Sequence, residues 1–89
     1  MSESGTPTRD LTTLRQALAE KDTELVRLMA ERAALIREVA HYKAEKGLPS
    51  FDREREGALL DVLLAKADAA GLPGEVVRDV FTSLFEASR

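Results

Sequence analysis

Stepping alternately by three and four residues from Arg15 gives one stripe: Arg15, Leu18, Asp22, Leu25, Met29, Arg32, Ile36, Val39 and Lys43. Residues at that spacing share a helix face. Its apolar members mark the face as one that packs, yet three members are cations. Burying an unpaired cation costs several kcal/mol, on the order of the desolvation of one ion, so each needs an anion. One explanation is a pocket between helices that takes an anionic ligand, and a carboxylate suits the planar fork of arginine. The other is structural. Long cationic side chains can lay their stems on apolar surface with their heads in water, and Arg32 could pair with Glu31 or with Glu54 of a neighbouring helix. The spacing alone leaves both open.

A second cluster, Asp52-Arg53-Glu54-Arg55-Glu56, has a strong structural explanation. Asp52 can cap a helix, Glu54 and Glu56 suit its positive end, and a mixed charge run is usually a solvated face. His41, the single histidine, sits off the stripe with no cysteine or second histidine near it, so it does not suggest a metal site. Ser88 follows Phe81 and Leu84 at helical spacing and so belongs on an inner face, where a lone serine is commonly structural. No glycine-rich phosphate loop and no G-x-S-x-G nucleophile turn is present. The helical spacing of Phe81 and Phe85 places them in a core.

The elements that must position these groups are all helical. Between Asp10 and Lys46 there is neither Gly nor Pro, Asp10 can serve as N-cap, and Gly47 followed by Pro49 stops the helix. Ser50 or Asp52 starts a second helix that runs to about Ala70. Gly71 and Pro73 interrupt the chain, and a third helix runs from about Gly74 to Ser88. Residues 1–9 read as a disordered tail and residues 10–89 as one domain. The first helix, at 1.5 Å per residue, makes a rod of about 54 Å. A folded chain of this length has a radius of gyration of only about 12 Å. Two short helices cannot cover such a rod. Leu11, Leu14, Leu18, Leu25, Leu28, Leu35 and Val39 therefore form a seam for a second copy, and a two-fold all-α homodimer with three helices per chain follows.

The bulk properties narrow the classes further. The 89 residues hold at most one domain, and the absence of cysteine excludes disulfides and points to the cytoplasm. The net charge of −3, from 13 basic and 16 acidic residues, offers no footprint for nucleic acid or an anionic membrane. The N-terminus MSESGTPTRD lacks the apolar segment of a signal peptide, and no stretch approaches the roughly 20 apolar residues of a membrane span.

In order along the chain stand Leu14-Arg15, Asp22, Ala30-Glu31-Arg32, Val39-x-x-Tyr42-Lys43, Gly47-Leu48-Pro49, Asp52-x-x-Arg55-Glu56, Gly71-Leu72-Pro73 and Glu86-Ala87-Ser88. Each piece is weak alone, but the ordered set resembles the all-helical AroQ class of chorismate mutases over about residues 11–89. The resemblance implies an intertwined dimer that rearranges chorismate to prephenate on the route to phenylalanine and tyrosine, with no cofactor and no metal. It also implies roles. Arg32 and Arg55 would contact a substrate carboxylate or hold the pocket together, and Arg15 would reach into the partner's site. Lys43 would bind a carboxylate and donate to the ether oxygen. Glu56 would accept from the ring hydroxyl with Asp52 beside it, and Ser88 would line the pocket near the ring carboxylate. Lys43, Arg32 and Glu56 are thus the implied catalytic groups.

In the family a Gln or Glu about one turn past the serine shares the ether oxygen, whereas this sequence ends at Arg89. Some short members depend on an activating partner enzyme of the aromatic pathway, which makes such a partner an expectation here. Three other outcomes fit the same residues: an isochorismate-pyruvate lyase, an aminodeoxychorismate mutase, or a catalytically weak, regulatory helical dimer module.

Overall fold

The protein is described by a computed structural model covering residues 9–89, so the expected tail, except Arg9, lies outside the described residues. Three helices account for them: α1 (Leu11–Lys46), α2 (Arg53–Ala69) and α3 (Gly74–Ala87). No strand occurs among the described residues. The chain divides into two units, one ending at Ala34 and one spanning Leu35–Arg89.

Each helix end is set by local chemistry that the sequence announces. Asp10 caps α1: its Oδ1 accepts from the Thr13 amide at 2.8 Å, and its carbonyl accepts from Leu14 N–H at 3.0 Å. At the other end Gly47 sits at φ 68°, a left-handed conformation that glycine adopts without a side-chain penalty. This lets Leu48 N–H reach back to the Lys43 carbonyl at 2.8 Å and Gly47 N–H to the Ala44 carbonyl at 3.4 Å. The paired bonds form a Schellman motif, which satisfies carbonyls that a helix end leaves open. Gly71 (φ 74°) repeats the motif after α2, with Leu72 N–H on the Ala67 carbonyl at 2.8 Å. Of the two expected caps for α2, Asp52 is the one used. The helix α3 starts after Pro73 without a side-chain cap, and Ser88, expected as its last residue, is its C-cap.

Within the second unit, α2 and α3 pack on each other. Their interface holds the two buried apolar residues, Ala67 at 5% and Phe85 at 8% exposure. Phe81 and Phe85 stack in a tilted pair with centroids 6.1 Å apart. Such pairs add about 0.5–1.5 kcal/mol beyond the area they bury.

The helix α1 is the opposite case. Its 36 residues include none that is buried. Leu18 is 62%, Leu25 57% and Leu35 60% exposed, and Leu11, Leu28 and Val39 are exposed as well. Its surface is laced by pairs one turn apart: Lys21–Glu24 at 3.5 Å, Arg27–Glu31 at 2.6 Å and His41–Glu45 at 3.4 Å. Exposed pairs of this kind contribute only about 0.3–0.5 kcal/mol each. They solubilise the helix without covering its apolar seam.

The Asp10 cap carries a pH dependence with a definite sign. The Thr13 amide holds the Asp10 carboxyl below its ordinary value. A lowered folded-state value means that the cap's contribution is complete above the unfolded value, about 3.9, and is lost as pH falls through the lowered one. Hydrogen exchange at the Thr13 amide is therefore expected to accelerate over that acid range in the native chain. In Asp10→Asn, which caps without titrating, it should not.

Candidate functional site

Five of the seven residues singled out for a site belong to the second unit: Lys43, Asp52, Arg55, Glu56 and Ser88. Lys43 occupies the last turn of α1, half-buried, and its carbonyl anchors the Gly47 stop. Its position on the helix is thus fixed by the same hydrogen bonds that end the helix. Asp52, Arg55 and Glu56 are clustered by the start of α2. Asp52 Oδ1 accepts from the Arg55 amide at 3.1 Å, and the Asp52 carbonyl accepts from Glu56 N–H at 3.2 Å. The cap therefore does the structural job expected of it, and in doing so sets where the Arg55 and Glu56 side chains leave the helix.

A groove of about 550 Å³ runs along α2, lined by Asp52, Glu54, Arg55, Ala58, Leu59 and Val62. Its lining is charged at the start of the helix and aliphatic further along. Asp52 and Arg55 share it; Lys43, Glu56 and Ser88 do not line it. Ser88 donates its hydroxyl proton to the Leu84 carbonyl at 2.8 Å, the local bond that serine often makes near a helix end.

Arg15 and Arg32 lie in the first unit, both on α1. Arg15 is exposed and Arg32 half-buried. Of the two anions offered structurally for Arg32, Glu31 is engaged by Arg27, whose guanidinium lies 2.6 Å from it. Among the described residues, the side chains of Arg15, Lys43 and Arg55 form no hydrogen bond or ion pair. In a chain with 16 acidic residues against 13 basic ones, acids are not scarce. Like Arg37, Lys66 and Arg78, these three cations keep their binding capacity unused among the described residues.

Glu56 is engaged. Its Oε1 accepts from Arg89 Nη2 at 2.7 Å, and the Arg89 guanidinium lies 4.3 Å from the centre of the Phe51 ring. Neither Phe51 nor Arg89 stands out in the sequence. They are 38 positions apart, with no periodicity linking them, and only the return of α3 along α2 brings them together. A terminal arginine beside a charged helix start carries no sequence signal of its own.

Chemically, the second unit offers two cations without ion pairs, Lys43 and Arg55, and in Glu56 a carboxylate able to accept from a hydroxyl. No group of three or more His, Cys, Asp or Glu side chains able to hold a metal ion occurs among the described residues.

Residues 14–89 match the family described as chorismate mutase type II. The chain is 34% identical over 79 residues to a T-protein of Enterobacter agglomerans, covering 89% of this chain and 21% of that protein. It is 34% identical over 62 residues to a secreted chorismate mutase of Yersinia pestis, covering 70% of this chain and 33% of that protein. It thus spans between about a fifth and a third of the length of these relatives. The solved structure of a chorismate mutase from Thermus thermophilus superposes with a TM-score of 0.82 at 33% identity, over 89% of this chain and 98% of that one.

The double duty of Asp52 can be separated. Asp52→Ala removes the cap and should destabilise the fold by about 1 kcal/mol, whereas Asp52→Asn caps as well and should leave stability within a few tenths. Denaturant unfolding of the two variants checks this. Any loss of ligand affinity that persists in the Asn variant then belongs to the lost charge, not to a frayed helix.

Proposed function

The chain belongs to the chorismate mutase type II family, and from that premise we propose that it rearranges chorismate to prephenate, working as a homodimer in the cytoplasm in the service of phenylalanine and tyrosine synthesis. The observation that carries the proposal is the family match over residues 14–89, with Arg15, Lys43 and Arg55 at positions of the ordered motif set and among the described cations that form no ion pair. Chorismate is a dicarboxylate, and cations of this kind can bind its carboxylates.

The reaction asks for little else. As the ether C–O bond breaks, a C–C bond forms between the enolpyruvyl methylene and the ring. Electrons move in one cycle, and no proton changes place. A catalyst must hold the enolpyruvyl arm over the ring and stabilise the negative charge that grows on the ether oxygen. In this proposal Arg32 and Arg55 hold carboxylates, and Arg15 of the partner subunit adds a third clamp. Lys43 binds a carboxylate and donates to the ether oxygen, where its charge counts for more in the transition state than in the ground state. Glu56 accepts from the ring hydroxyl, Asp52 supports the same region, and Ser88 lines the ring-carboxylate end.

The homodimer rests on the exposed seam of α1. Leu11, Leu18, Leu25, Leu28, Leu35 and Val39 recur along the helix and are all exposed in the single chain. Apolar surface of that extent is covered in a soluble protein, and a two-fold partner supplies the matching seam. The cytoplasmic assignment rests on the lack of cysteine, although a secreted relative exists.

Adding purified protein to chorismate should consume its absorbance and yield prephenate. Lys43→Ala should lower kcat about 100- to 1,000-fold, the usual loss for one preorganised donor at a developing oxyanion, while the dimer remains folded. A folded Lys43→Ala dimer with undiminished turnover would sink the proposal. Absence of turnover in the unsubstituted chain would favour the regulatory or partner-activated module. Sedimentation should show two chains per particle, and Leu25→Glu, which places a charge in the seam, should shift it to monomer and abolish turnover.

A further inference from the structure

We propose that Arg89 is a positioning residue for Glu56, forming with Phe51 a clasp that aims one carboxylate oxygen at the ligand and offsets its charge; this rests on the mutase reading above. Three observations support it. The Arg89 guanidinium donates to Glu56 Oε1 at 2.7 Å, a tight contact between side chains distant in sequence. The same guanidinium lies 4.3 Å from the centre of the Phe51 ring, well within cation–π range, so its orientation is restrained by a second partner. The backbone that carries it is also tied: Ser88 N–H bonds to the Leu84 and Phe85 carbonyls, and Arg89 N–H to that of Glu86.

The geometry suits a support and not a plug. A carboxylate has two oxygens, and Arg89 occupies Oε1. Among the described residues nothing bonds Oε2, which keeps its acceptor capacity for a hydroxyl. Glu56 retains a quarter of its side-chain exposure, and Arg89 keeps 44%. An ion pair so wet adds little to stability, so a purely structural account gives it little to do. Electrostatics gives it more. An ionised carboxylate beside the site of a dianion repels that ligand, and a guanidinium at hydrogen-bond distance cancels most of the repulsion while leaving the acceptor in place. Freed from the clasp, Glu56 would gain rotamers and keep an uncompensated charge. Both changes weaken orientation at the reacting ring.

The test is a double-substitution cycle on the full chain with chorismate as substrate, comparing Arg89→Ala, Glu56→Gln and the pair. Arg89→Ala should lower kcat/KM about tenfold in the otherwise unsubstituted chain and change it less than about twofold in the Glu56→Gln background, the coupling expected of residues that act as one unit. Arg89→Lys, which keeps the charge but loses the fork and the planar face, should recover part of the loss. Equal losses in both backgrounds would mark a structural role of the chain end and overturn the clasp, as would an Arg89→Ala enzyme with unaltered kcat/KM. Should Arg89→Ala unfold, Phe51→Leu loosens the same clasp from its other side, and an unchanged kcat/KM there overturns the proposal equally. Lack of turnover in the unsubstituted chain would instead overturn the mutase reading on which the clasp depends.

Discussion

A helix of 36 residues with apolar side chains recurring along one face sets the terms for everything else in this chain. Its length leaves its own chain unable to cover it. The remaining residues form two short helices whose shared interior comes down to Ala67 and Phe85. A core that small cannot by itself hold a domain with a comfortable margin, because shorter chains bury a smaller fraction of their surface. The chain therefore reads as half of something. The unburied seam on α1 is the surface that the proposed second copy would cover. In the proposed dimer stability and site assembly would be one event, since Arg15, near the start of α1, is proposed to act in the partner's site.

Helix boundaries were the most legible feature of the sequence, because each is fixed by a residue type with one favoured use. Asp10 and Asp52 accept from amides three residues on, and Gly47 and Gly71 take the left-handed conformation that a Schellman stop requires. The cationic stripe was legible for the same reason: helical spacing converts directly into a shared face. Choosing between its structural and functional explanations was not possible from spacing, since a local pair needs only reach. The structure pairs Glu31 with Arg27. The Phe51–Arg89–Glu56 contact was not legible at all. Its ion pair joins positions 33 apart through the packing of α3 on α2, and neither period nor composition encodes such a meeting.

Helix punctuation and the proposed site coincide at three positions. Lys43 lends its carbonyl to the turn that ends α1, Asp52 commits one carboxylate oxygen to the start of α2, and Ser88 caps α3. Placing functional groups at helix termini has a physical advantage. The cap geometry fixes the backbone there to within a hydrogen bond, so a side chain that leaves from it is aimed without further support. The drawback is that a substitution at such a position disturbs fold and site together.

A pericyclic rearrangement makes this overlap workable. It needs no nucleophile, and no group must exchange a proton on cue, so no side chain has to sit at a finely tuned titration point. What it rewards is charge held in fixed places around a flexible dianion. Charge held in place is what a bundle of highly charged helices supplies readily: long cationic stems laid on aliphatic surface and short acidic groups pinned at helix starts. Even the acids help, provided each is held by something. On that view the ion pair between Glu56 and Arg89 belongs to the same scheme as the unpaired cations. In the proposed site the cations bind the ligand's carboxylates, and the pair keeps Glu56, the carboxylate proposed to face the ring hydroxyl, from repelling the ligand.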